Sequence, residues 1–97
     1  MERNILEGLL EALNLKLQHQ PMEKSVSLRI RGAGNILITG TRAYRSDDRA
    51  DCAIIGTPDT FGSILEGGLG PVKAVMLGRL KVSGDAGAAM AFGRLFG

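Results

Sequence analysis

The sequence predicts an α+β fold, with helices laid over one face of a mainly antiparallel sheet. Apolar residues first recur at helical spacing, at Ile5, Leu6, Leu9, Leu10, Leu13 and Leu17, and from Ser25 the period changes to two. Pro58 and Pro71 each open a short apolar pattern that stops on glycine. The resulting order is helix, hairpin, further strands, two short helices, strand, helix. Strands and helices are grouped rather than strictly alternating, which separates this chain from the parallel α/β folds.

The first helix is expected from about Glu2 to Gln18. Glu2, Arg3, Glu7 and Glu11 lie opposite the leucines, with acids in the first half where the helix dipole favours them. Pro21 disfavours helix at the residue before it, so the helix ends near Gln20. Val26, Leu28 and Ile30 alternate with Ser27, Arg29 and Arg31, predicting a strand with one buried and one wet face. Gly32-Ala33-Gly34-Asn35 is a turn, and Ile36 to Thr39 is the returning strand. Tyr44 sits in a short third strand, and Ser46-Asp47-Asp48 supplies turn chemistry. Asp51 to Ile55 reads as a further strand. Thr57-Pro58-Asp59 is a helix start, with Thr as N-cap and Pro at the first helical position. Gly67-Gly68 ends that helix, and Gly78 ends the one opened by Pro71. Leu80 and Val82 alternate with charged and polar residues in a last strand. Asp85 caps a final helix of small residues, in which Met90, Leu95 and Phe96 are the bulky members.

Ninety-seven residues make one domain, 1–97, with a single modest core. Aromatic residues are 4% and Trp is absent, so that core must be aliphatic. Fourteen glycines imply frequent tight turns and close approaches. The net charge of +2 is a mild bias that would attract an anionic surface. It lacks the clustered basic footprint and interleaved aromatics of a nucleic-acid binder, so no nucleic acid is expected among the partners. One cysteine excludes an internal disulfide. Neither a basic leader nor a run of about twenty apolar residues is present. Leu95-Phe96-Gly97 is not a peroxisomal address, and the expected location is the cytoplasm.

No group of residues forms a catalytic constellation. His19, the one histidine, lies at a polar helix end beside Gln18, Gln20 and Pro21. Cys52 falls inside a strand, where cysteine behaves as a small apolar residue. Asp47, Asp48 and Asp51 lack the glycine and terminal glutamate of a calcium loop. One His and one Cys exclude a zinc site within the chain. Gly32-Ala33-Gly34 lacks the rest of a dinucleotide fingerprint. The expectation is therefore no enzyme, no metal and no cofactor. Arg29 and Arg31 share an outward face, solvated or available to lipid phosphate. The small face of the final helix either packs closely on the sheet or leaves room for an acyl or isoprenoid chain.

Four segments resemble the sterol carrier protein type 2 family. Ala50-Asp51-Cys52-Ala53-Ile54-Ile55 is similar to a family strand that begins Ala-Asp. Thr57 to Gly67 looks like its capped helix ending in Leu-x-Gly. Gly78-Arg79-Leu80-Lys81-Val82-Ser83-Gly84-Asp85 resembles its Gly-Lys/Arg-Leu-Lys-Ile/Val-x-Gly-Asp strand, and Ala89-Met90 to Leu95-Phe96 its final helix. The resemblance covers Ala50 to Phe96 and points to a short, bacterial-type member. It implies a five-stranded sheet with helices enclosing a hydrophobic tunnel for fatty acyl chains, sterols or other lipids, and no covalent chemistry. The family usually has more helix before the first strand and an aromatic residue in the second; here there are one helix and Leu37. A shorter lid implies a smaller, more open cavity, or one completed by a homodimer. The Ile-Gly-Thr-Pro and Ser-Gly-Asp segments also resemble the sterol-carrier-like domains of bacterial accessory factors for ubiquinone biosynthesis, which present a polyprenylated ring to enzymes.

The expected function is non-enzymatic binding and transfer or presentation of a hydrophobic ligand. Its cavity is expected to be lined by Leu9 and Leu13 of the first helix, Phe61, Ile64 and Leu65 of the second, and Val72, Val75 and Met76 of the third. Met90, Leu95 and Phe96 of the last helix complete the set. A membrane surface and a second copy of the chain are candidate partners. Two other readings stay open. One is an interaction scaffold that uses the leucine helix without bound lipid, and the other is an enzyme that uses Cys52 or the Asp47-Asp48 turn.

Overall fold

The leucine spacing folds as expected. In a computed structural model, which describes residues 4–96, helix α1 spans Ile5–Leu17 and buries Leu6, Leu9, Leu13 and Leu17. Asn4 is its N-cap: the Asn4 side-chain oxygen accepts from the Glu7 N–H at 2.9 Å. The expected start at Glu2 lies outside the described residues. After a turn come β1 (Met22–Ile30), β2 (Gly34–Gly40), β3 (Arg42–Arg45) and β4 (Cys52–Gly56). Helices α2 (Pro58–Leu65) and α3 (Pro71–Met76) follow, then β5 (Lys81–Gly84) and α4 (Ala86–Leu95).

The strands form one five-stranded sheet in the order β3-β2-β1-β4-β5. Neighbouring strands are antiparallel except β1 and β4, which run parallel at the centre. The chain meanders through β1, β2 and β3, then crosses to the far side of β1 before entering β4. Register places Val26 between Ile38 and Cys52, and Leu28 between Ile36 and Ile54. Those six residues therefore share one face, and the helices cover it. Helix α1 packs over β2 and β3, while α4 lies over β1, β4 and β5. Among the described residues, the core is built from that sheet face and the buried stripes of α1, α2 and α4.

Two details depart from the strand reading. Strand β1 begins at Met22 rather than Ser25, because Met22 is buried and pairs with Gly40 across an irregularity in the ladder. Ser27 is not wet: it is 1% exposed, and its hydroxyl has no hydrogen-bond partner. On the sheet face away from the helices, Ser27 lies in register between Leu37 and Ala53, and Leu37 is itself only 7% exposed. A central strand is shielded by its neighbours even where no helix covers it. That shielding is a property of strand order, which the period of two does not contain.

The helix ends follow their caps. Thr57 Oγ1 accepts from the Thr60 N–H at 3.3 Å, and Asp85 Oδ1 from the Ala88 N–H at 2.8 Å. Gly78 closes α3 at φ +76°, a left-handed conformation that glycine adopts without steric cost. The Gly84 N–Cα bond turns to φ +95°, and a β-carbon there would strike the Asp51 carbonyl oxygen. No helix among the described residues is long and apolar enough to cross a membrane.

Candidate functional site

Three elements leave an apolar gap. The α4 helix presents Ala86, Ala89, Met90 and Gly93 at spacings of three and four, so these residues share one helical stripe. Across from them α3 presents Val72, Val75 and Met76, with Pro71 at its first turn. Ile54, Leu80 and Val82 from the β4–β5 edge, together with Phe92, close the floor. The groove encloses about 290 Å³, and every residue named here is apolar. Its walls separate because α4 carries small side chains where α3 approaches it. A β-carbon on Gly93 would sit 4.0 Å from Val72 Cγ2, an ordinary contact with no clash.

The cavity is a groove open to solvent. Met90 is 63% exposed, and Val72, Val75 and Met76 also lie at the surface. A pocket of this composition offers no nucleophile, acid or base. What it can do is remove methylenes from water, about 0.8 kcal/mol for each CH₂ buried.

The residues expected to line a cavity divide into two groups. Val72, Val75, Met76 and Met90 come together in the groove. Leu9, Leu13, Phe61, Ile64 and Leu95 are buried in the core cluster, and Leu65 packs over α1, its Cδ2 3.1 Å from where a Gly8 β-carbon would sit. Phe96 is half-buried at the end of α4, its ring 5.3 Å from that of Phe92 and beneath the Lys16 ammonium at 5.1 Å. The sequence reading did not single out Phe92, Leu80, Val82 or Ile54 for the cavity. The alternation of Leu80 with Val82 was the available signal. Val82 registers directly opposite Ile54 on the inner face of β4, and the Leu80 side chain lies against Gly56 at the end of that strand.

Of the polar candidates, the Asp51 and Asp47 side chains are engaged in structure. Asp51 Oδ2 accepts from both the Ser25 N–H, at 2.9 Å, and the Ser25 hydroxyl, at 3.1 Å, tying the entry of β4 to β1. Asp47 Oδ1 accepts from Asn35 Nδ2 at 2.8 Å, and the Asp48 N–H donates to Ser46 Oγ at 3.1 Å. Cys52 is fully buried on the helix-covered face, and desolvation pushes its thiol pKa up, with the Asp85 charge adding to the effect. His19 is exposed in the turn after α1. Among the described residues, no three His, Cys, Asp or Glu side chains cluster as metal ligands. A second pocket, of about 400 Å³ and with mixed polar and apolar walls, lies at the mouth of β4, with Arg31, Arg79, Lys81 and Asp59 around it.

No curated protein sequence matches the chain. Solved structures do match its fold. Sterol carrier protein-2 from Aedes aegypti, solved in complex with the C16 fatty acid palmitate, superposes with a TM-score of 0.79 at 17% identity, covering 99% of this chain and 96% of that one. Sterol carrier protein 2 like 2 from the same organism gives 0.77 at 14% identity, over 93% of this chain and 94% of that one. A ubiquinone synthesis protein, UbiJ-SCP2, gives 0.65 at 15% identity, over 92% and 90%. At the level of sequence, the family model described as the SCP-2 sterol transfer family matches residues 2–97, from one end of the groove-building segment to the other and through the whole sheet; the chain belongs to that family.

Proposed function

We propose that this chain binds a hydrophobic ligand in the groove between α3, α4 and β5, and carries or presents it without covalent chemistry. The observation that supports this reading best is the groove itself: an apolar gap of about 290 Å³ whose walls are Val72, Val75, Met76, Ala89, Met90 and Gly93. Exposed apolar side chains around an unfilled gap are costly in water, and an acyl or isoprenoid chain laid between them removes that cost. The palmitate named for the Aedes aegypti protein supports a fatty acyl ligand. The ubiquinone synthesis protein with the same fold supports a second ligand class, an isoprenoid quinone precursor presented to enzymes.

The test is native purification followed by mass spectrometry of the organic extract and of the intact complex. A stoichiometric fatty acid or isoprenoid is expected. Uptake of fatty acids of increasing length should tighten about fourfold for each added methylene until the groove is full, the equivalent of about 0.8 kcal/mol per CH₂. Met90→Asp places a charge in that apolar wall and should abolish uptake with the circular dichroism spectrum unchanged. An empty protein that takes up neither a fatty acid nor an isoprenoid probe would overturn the reading in favour of an interaction scaffold.

A further inference from the structure

The stretch from Arg79 to Val82, entering β5, serves two cavities. Leu80 and Val82 line the apolar groove, whereas Arg79 and Lys81 line the pocket at the mouth of β4. Side chains along an extended chain alternate between faces, so one short segment builds a wall of each. A third cation joins them from the other side of β4. The Arg31 N–H, just past the end of β1, donates to the Gly56 carbonyl at 2.9 Å, and Arg31 lines the same pocket. Lys81 pairs with Ile55, the residue before Gly56. Three cations from three separate parts of the chain thus border one space of about 400 Å³.

Among the described residues, Arg31, Arg79 and Lys81 make no ion pair, and all three are exposed. The one carboxylate on the wall, Asp59, belongs to the first turn of α2, where the helix dipole accommodates it. It too makes no ion pair. The excess of positive charge around this pocket equals the net charge of the whole chain, +2. Like charges gathered without partners repel one another and add nothing to packing. A concave wall of one sign does, however, concentrate ions of the other. Ser63, also on the wall, brings a hydroxyl donor.

We propose that this pocket binds an oxyanion of the phosphate class, held by Arg31, Arg79 and Lys81. A guanidinium offers a planar fork that matches two phosphate oxygens, and Lys81 supplies a point charge. The pocket and the groove share no lining residue. Leu80 stands between them, its Cδ2 2.7 Å from where a Gly56 β-carbon would sit. The site therefore goes beyond the hydrophobic-ligand reading and does not depend on it. A free phosphate compound and the phosphate head of a chain lying in the groove offer the same chemistry. They differ in whether binding responds to the groove.

The experiment is titration of the isotopically labelled protein with sodium pyrophosphate, read by amide chemical shifts, and with dodecyl phosphate as the chain-bearing counterpart. Saturable shifts are expected at Arg31, at Gly56 to Thr60 and at Arg79 to Lys81. Arg79→Ala and Lys81→Ala should each weaken pyrophosphate binding about fivefold, the loss of one exposed ion pair, with fatty acid uptake intact. Asp59→Asn should tighten it by a similar factor, a gain that no loss of folding can imitate. Met90→Asp should leave pyrophosphate affinity unchanged. Dodecyl phosphate that binds more tightly than pyrophosphate, and loses that advantage in Met90→Asp, supports the site and makes its occupant a lipid head. Dodecyl phosphate that binds no more tightly supports the site with a free phosphate compound. Shifts that do not saturate or that spread evenly over the other surface cations overturn the proposal, as do wild-type affinities in Arg79→Ala, Lys81→Ala and Asp59→Asn. Each of those results leaves the groove reading standing, because fatty acid uptake is measured separately.

Discussion

The Asn14 side-chain amide pairs with the main chain of Ala43 in both directions: Asn14 Nδ2 donates to the Ala43 carbonyl at 3.0 Å, and the Ala43 N–H donates to Asn14 Oδ1 at 2.8 Å. One helical side chain thus completes the hydrogen bonding of the edge strand β3, and a third bond, from Nδ2 to the Leu10 carbonyl at 2.9 Å, holds the amide in place. This pins α1 to the side of the sheet remote from the groove.

Asn14→Ala should therefore cost about 1–3 kcal/mol in urea denaturation, the usual loss when part-buried partners are stranded. Fatty acid uptake by the folded protein should be unchanged. A loss of uptake at full stability would mean that α1 reaches the ligand after all.

Gly93 sits inside α4, where a β-carbon finds only an ordinary contact with Val72. Gly93→Ala should stabilise the protein by about 1 kcal/mol, because alanine loses less backbone entropy in a helix. Gly93→Leu should fill the groove and compete with ligand. Thermal melts and probe titration of the two variants separate these effects, and unaltered uptake by Gly93→Leu would place the ligand elsewhere.

The Lys24–Asp85 pair gives stability a defined response to acid. The Lys24 ammonium and the Ala88 N–H hold the Asp85 carboxyl below its ordinary value, and Asp85 in turn raises Lys24. A depressed carboxyl contributes above its unfolded value of about 3.9 and loses that contribution as pH falls through the lower folded value. Asp85→Asn keeps an N-cap but removes the charge. Its urea midpoint should trail the wild type by a constant amount between about pH 5 and 9, with the gap closing below about pH 4. A gap that persists at pH 2 would show that the charge is not its source.

Cys52 should be inert in the folded chain. Burial pushes its thiol up, so little thiolate exists at neutral pH, and the side chain lies in the core. Ellman's reagent should label it only as fast as the protein opens, and at once in denaturant. Rapid labelling of the native protein would contradict the buried placement and reopen a catalytic role.

Local patterns carried most of the elements. The leucine stripe defines α1, the Thr57-Pro58 and Asp85 caps locate α2 and α4, and the period of two reveals β1 and β2, since each of these signals depends on neighbours within about one turn or one pleat. The family resemblance came from the same local segments, above all Gly78 to Asp85. Strand order and direction were not legible. That β4 runs parallel beside β1, so that Ser27 is shielded and Val82 faces Ile54, follows from pairings between residues far apart in sequence. The cavity divided along the same line. The exposure of Met90 and the burial of Leu95 look alike on a helical pattern, because an apolar side chain at either position meets the same local rule. The sequence by itself determined which side chains are apolar and which elements carry them. Only the packing of α4 across the β4–β5 edge decided that Phe61 and Ile64 fill the core while Val72, Met76 and Met90 frame an open groove, since hydrophobic burial fixes how much apolar surface is removed from water but not where a gap is left.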